Sequence, residues 1–143
     1  MVDKNLILRK LATLEEYHQQ IQEYSEITVE DYENDWKTQR IVERTLQIMI
    51  ELCLDIAGHV ISDEKLRIPE NYADTFRCIG EAGLIDRDTM ETMEKMTQFR
   101  NVIVHQYERI DSEIVVNILH KHLGDFLNFK NSVVSLIEND QYR

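Results

Sequence analysis

Arg100, Asn101 and His105 crowd into one short stretch of the chain, and all three side chains can do chemistry. A guanidinium recognises anions, and an imidazole gives or takes a proton near neutral pH. If the stretch is α-helical, Met93, Met96, Ile103, Val104 and Tyr107 fall on one apolar arc, with Arg100 in its middle. Asn101 and His105, four apart, then stack on the flank of that arc. An arginine is almost never buried without a partner. Arg100 therefore pairs with a carboxylate inside the fold, or it faces a groove or a subunit interface. By residue type alone, the commoner use of such a trio is a salt bridge, a surface amide and a packed imidazole.

The remaining reactive side chains point to no second centre. His18, His59, His120 and His122 sit on or beside helical seams, without the clustering that a metal site needs, so no metal is expected. Cys53 and Cys78 lie far apart with no C-x-x-C spacing, which reads as free, buried thiols in a reducing cytoplasm. Tyr24, Trp36 and the methionines read as core or interface filling rather than as a base-stacking surface.

The elements that must position these residues are helices. Four glycines and one proline in 143 residues cannot supply the turns of a sandwich or barrel. A composition 43% hydrophobic and 30% charged suits a helical domain and is too apolar for a disordered one. Charges interrupt every apolar run, and no leader-like stretch opens the chain, so neither a membrane span nor a signal peptide is expected.

Apolar spacing predicts a first helix over about 3–24, through Ile7, Leu11, Leu14, Tyr17 and Ile21. Thr28 then caps a long second helix, starting at about 29 or 35 and reaching 61. This second helix carries two stripes, one at Val42, Leu46, Met49, Cys53, Ile56 and Val60, the other at Ile41, Ile48 and Leu52. Two stripes mark the central helix of a bundle. A loop over 62–69 precedes a short third helix, 70–81, closed by Gly83. Asp86 caps a fourth helix that ends near Tyr107. Asp111 caps a fifth, whose beat at Val115, His122, Phe129 and Leu136 suggests one long antiparallel packing seam. The expectation is an all-α, up-and-down bundle of about five helices, forming a single domain over 1–143.

The 16 Lys and Arg residues stand against 27 Asp and Glu, a net charge of −11. That balance excludes indiscriminate coating of nucleic acid, which needs a cationic surplus, but it leaves room for a small basic site.

Arg100-Asn101-Val102-Ile103-Val104-His105-Gln106-Tyr107 reads R-N-x-x-x-H-x-Y and resembles the signature of the HepT family of HEPN-domain ribonuclease toxins. The resemblance runs along most of the chain. Gln39-Arg40-Ile41-Val42-Glu43-Arg44 and Cys53-Leu54-Asp55-Ile56-Ala57 look like the family's second helix. Pro69-Glu70-Asn71-Tyr72-Ala73-Asp74 and Glu81-Ala82-Gly83 look like its third helix and the following turn.

The resemblance implies a cytoplasmic, homodimeric, metal-independent ribonuclease without a cofactor, with two motifs facing one cleft and no DNA or membrane as partner. It gives proton transfer to His105, stabilisation of phosphate charge to Arg100 and an orienting role to Asn101, with Arg40 and Arg44 as RNA contacts. It further implies a nucleotidyltransferase antitoxin of the MntA type, which silences the toxin by moving AMP from ATP onto Tyr107. Two other readings stay open on the residues alone. One is a noncatalytic adaptor or nucleotide-binding subunit of a nucleotidyltransferase complex; the other is a structural bundle whose Arg100 and His105 close a dimer.

Overall fold

A computed structural model describes residues 3–140, and every regular element in it is helical. The α-helices are α1 (Lys4–Ile21), α2 (Val29–Glu33), α3 (Trp36–Asp63), α4 (Tyr72–Glu81), α5 (Arg87–His105), α6 (Ser112–Lys121) and α7 (Leu123–Asp140). Seven helices thus stand where five were expected, and both extra breaks have local causes. The Asp35 carboxylate accepts from the Lys37 and Thr38 amides and starts α3 afresh, which leaves α2 as a single capped turn behind it. The expected fifth helix divides at His122, whose backbone leaves helical geometry at φ −122° and ψ 2°. Gly124, a poor helix former, follows at once. The beat at 115, 122, 129 and 136 is therefore not one seam, and His122 instead bonds Asp125 at 2.9 Å.

The other boundaries follow the caps. Thr28 accepts from the Asp31 amide, Asp86 from Thr89 and Asp111 from Glu113. Gly83 takes φ +76° just beyond α4, a conformation that a side chain would strain.

The helices stack up and down. α1 runs antiparallel to α7, with Glu15 paired to Lys130 and the His18 ring bonded to the Leu123 carbonyl at 2.9 Å. α4 runs antiparallel to α5 through the Arg77–Glu94 pair and a close approach of Gly80 to Met90 that leaves no room for a Cβ. α3 threads the centre. Its buried Val42, Leu46, Met49, Ile50, Cys53, Ile56 and Ala57 form the spine of one core, each large side chain contributing roughly 1.5–3 kcal/mol. α3 is also long and apolar enough to cross a membrane, but half of its apolar window is buried inside the bundle, as befits a core helix.

Both cysteines are buried and free. Of the two roles expected of Trp36, core or interface filling, the core is ruled out. It lies exposed in the first turn of α3, with Lys37 above its ring.

Candidate active site

Arg100 sits one turn before the end of α5 on the face turned toward α3. Its side chain is only 13% exposed, and its partner is a carboxylate from the centre of the bundle. Nε and Nη2 both donate to Glu51 Oε1, at 3.1 and 2.9 Å. Nη1 donates to Asn101 Oδ1 at 3.2 Å, and the Tyr72 ring lies 5.1 Å from the guanidinium carbon. Of the two openings left by the sequence, pairing and facing a groove, Arg100 takes both. Beyond Glu51 it borders a cleft of about 740 Å³ between α3 and α4.

Burial alone would raise the Glu51 carboxyl. The hydrogen bond from Gln47, those from Arg100, and the charges of Arg100 and Arg44 outweigh burial and hold its pKa below the ordinary carboxylate value. Glu51 therefore stays ionised and keeps Arg100 fixed. Arg40, Arg44, Gln47 and Glu51 follow one another along one face of α3, so the two exposed arginines lead toward this pair.

The end of α5 is arranged differently. His105 is the last residue of the helix, exposed, and makes no hydrogen bond or ion pair among the described residues. Gln106 closes the helix by donating to the Val102 carbonyl, and Tyr107 opens a short 3-10 turn with 71% of its surface exposed. Val104 is exposed as well, so neither it nor Tyr107 belongs to the buried arc of Met93, Met96 and Ile103. The helix ends before Tyr107 can turn inward. The chain thus joins Arg100, Asn101 and Glu51 in one contact network, while His105 and Tyr107 stand at the solvent edge beyond it. Among the described residues, no three His, Cys, Asp or Glu side chains gather as a metal would require.

Glu51 and Tyr72 are the members that the sequence reading missed. The signal for Glu51 was a lone carboxylate between Ile50 and Leu52 in the most apolar part of the central helix. Tyr72 gave no comparable signal, because its contact with Arg100 exists only once α4 folds back on α5.

The all-helical bundle matches the solved structures of HEPN toxins. The solved Shewanella oneidensis HEPN toxin, tri-AMPylated and in complex with MNT antitoxin, superposes with a TM-score of 0.84 at 30% identity, over 94% of this chain and 99% of that one. The family described as Ribonuclease HepT-like matches residues 14–133, and the chain belongs to it. It is 32% identical over 126 residues to the mRNA nuclease HepT of Shewanella oneidensis, covering 87% of this chain and 93% of the relative. It is 25% identical over 112 residues to the tRNA nuclease HepT of Aphanizomenon flos-aquae, covering 77% and 75%.

Proposed function

We propose that the chain is the toxin of a toxin–antitoxin pair and cleaves RNA without a metal ion, using Arg100, Asn101 and His105. The observation that carries this reading is the Arg100 guanidinium, fixed by Glu51 and Asn101 yet bordering an open cleft, in a chain of the HepT-like family. Three of its five N–H donors are engaged and two remain for a phosphate.

In the reaction, a ribose 2′-oxygen attacks the adjacent phosphorus and the P–O5′ bond breaks. The products are a 2′,3′-cyclic phosphate and a 5′-hydroxyl. Arg100 stabilises the charge that grows on the phosphorane, and His105 moves the proton. One imidazole does not readily serve both the attacking and the leaving oxygen, so the working unit is a homodimer with two motifs on one cleft. The outer stripe of α3 supports this, since Ile41 is 49% exposed and Ile48 and Leu52 are half-buried in a single chain. Arg40 and Arg44 contact the RNA backbone.

Silencing follows from Tyr107. A nucleotidyltransferase antitoxin of the MntA type directs the Tyr107 oxygen onto the α-phosphorus of ATP; pyrophosphate leaves and the phenolic proton is lost. The exposed phenol supports this assignment, and the AMP adds a negative phosphodiester close to the RNA site.

The test has two arms. In the first, the wild-type chain in EDTA should yield cyclic-phosphate ends, and His105→Ala should slow cleavage about 10²-fold or more while staying folded. Undiminished cleavage by His105→Ala, or products with a 3′-hydroxyl and a 5′-phosphate, would reject the mechanism. The second arm is intact mass after incubation with partner, ATP and Mg²⁺. It should show AMP additions on wild type and none on Tyr107→Phe.

A further inference from the structure

The cleft beside Arg100 is larger than one phosphate requires, and its volume lies in the range of small-molecule sites. Its floor is unusual. Gly58 stands in the interior of α3, where glycine is about 0.5–1 kcal/mol worse than alanine. Tight packing explains such a glycine at position 80, where Met90 blocks a Cβ, but a Cβ at Gly58 would meet no atom within 4 Å. The backbone is bare there and opens into the cleft.

Beside that floor Leu54 and Ile61 from α3 and Pro69 supply apolar wall, and Asn71 and Thr75 supply uncharged polar groups. Tyr72 forms the rim, 58% exposed and beside the Arg100 guanidinium. The two carboxylates of the cleft are already answered, Glu51 by Arg100, and Asp55 by Lys10 and the nearby His59. A flat, uncharged group attached to an anion therefore meets no unpaired negative charge on entering.

We propose that this cleft is a nucleobase subsite for single-stranded RNA. The base adjoining the phosphate held by Arg100 lies over Gly58, between the apolar wall of α3 and the Tyr72 ring. This rests on the reading that Arg100 holds a phosphate of RNA. It adds that the enzyme selects a base at the position it cleaves, by shape and stacking in a site that one chain builds alone.

The test uses Gly58→Leu, which fills the cleft from a position where no atom crowds the new side chain, with Gly58→Ala as the control. Nucleoside 3′-monophosphates and a 2′-deoxy tetranucleotide are titrated into His105→Ala chains and followed by amide NMR. Saturable shifts at Gly58 and Tyr72 are expected, with the tetranucleotide binding more tightly; adding Gly58→Leu should abolish both. In the cleaving enzyme, Gly58→Leu should raise KM about tenfold and flatten base preference, with kcat little changed.

A folded Gly58→Leu with wild-type KM and cleavage pattern overturns the proposal. So do shifts that inorganic phosphate reproduces, or a mononucleotide that outbinds the tetranucleotide and so marks a site for free nucleotides. If instead wild type cleaves no RNA while the oligonucleotide still moves Gly58, the nuclease reading fails and the base site stands.

Discussion

Arg100 is fixed by a carboxylate 49 residues away, and the pair resolves how an arginine can lie inside an apolar arc. Glu51 is partly open to solvent, so its worth lies between that of a surface pair and a buried one. Glu51→Gln keeps the shape and removes the charge. It should destabilise the chain by about 1 kcal/mol at neutral pH, read from the urea midpoint at constant slope. An unchanged midpoint would mean that water replaces Glu51 at no loss and that Arg100 is held by Asn101 and Tyr72 instead. The location of Arg100 on an inward face was legible from helical spacing, because the period of the helix decides it. The identity of its partner was not, because every acidic residue of the chain was a candidate until the helices were placed.

At the scale of elements, the wall of the cleft depends on how the segment between α3 and α4 is tied down. Arg67 reaches Asp74 with two hydrogen bonds of 2.6 and 2.8 Å and also pairs with Glu81, strapping that segment along α4. These bonds, then that from the Glu70 amide, lower the Asp74 carboxyl to about 2. A carboxyl depressed in the folded state stabilises fully above its unfolded pKa and loses that contribution as the pH falls toward the folded value. Asp74→Asn should therefore cost about 1 kcal/mol at neutral pH, discounted for the exposed Arg67, and the gap to wild type should close between about pH 5 and about pH 2. Thermal melts across that range measure it, and a gap constant with pH would assign the effect to packing rather than charge. Helix starts were well marked in the sequence, because Thr28, Asp86 and Asp111 act through neighbours only two or three residues on. The break at His122 was hidden, since the apolar spacing of Leu119, His122 and Phe126 continues straight through it. Tyr107 was likewise set by a local stop, the cap at Gln106, against a period that extended the helix.

For the whole molecule, the proposed homodimer would cover the outer stripe of α3, where Ile41 is exposed and Ile48 and Leu52 are half-buried. Light scattering at micromolar concentration should give twice the 17.0 kDa chain mass, and Ile41→Glu should halve it without loss of helicity. A monomer that cleaves RNA at full rate would exclude a site shared between chains. The antiparallel seat of α1 on α7 has another consequence, in the order of synthesis. A ribosome delivers α1 before α7, so the Glu15–Lys130 pair and the bond of His18 to the Leu123 carbonyl form only after α7 has emerged. Phe76, on the helix that carries Tyr72, rests edge-on against Phe129 of α7 at 5.6 Å. Until α7 has emerged, α4, which places Tyr72 beside Arg100, therefore lacks this ring contact.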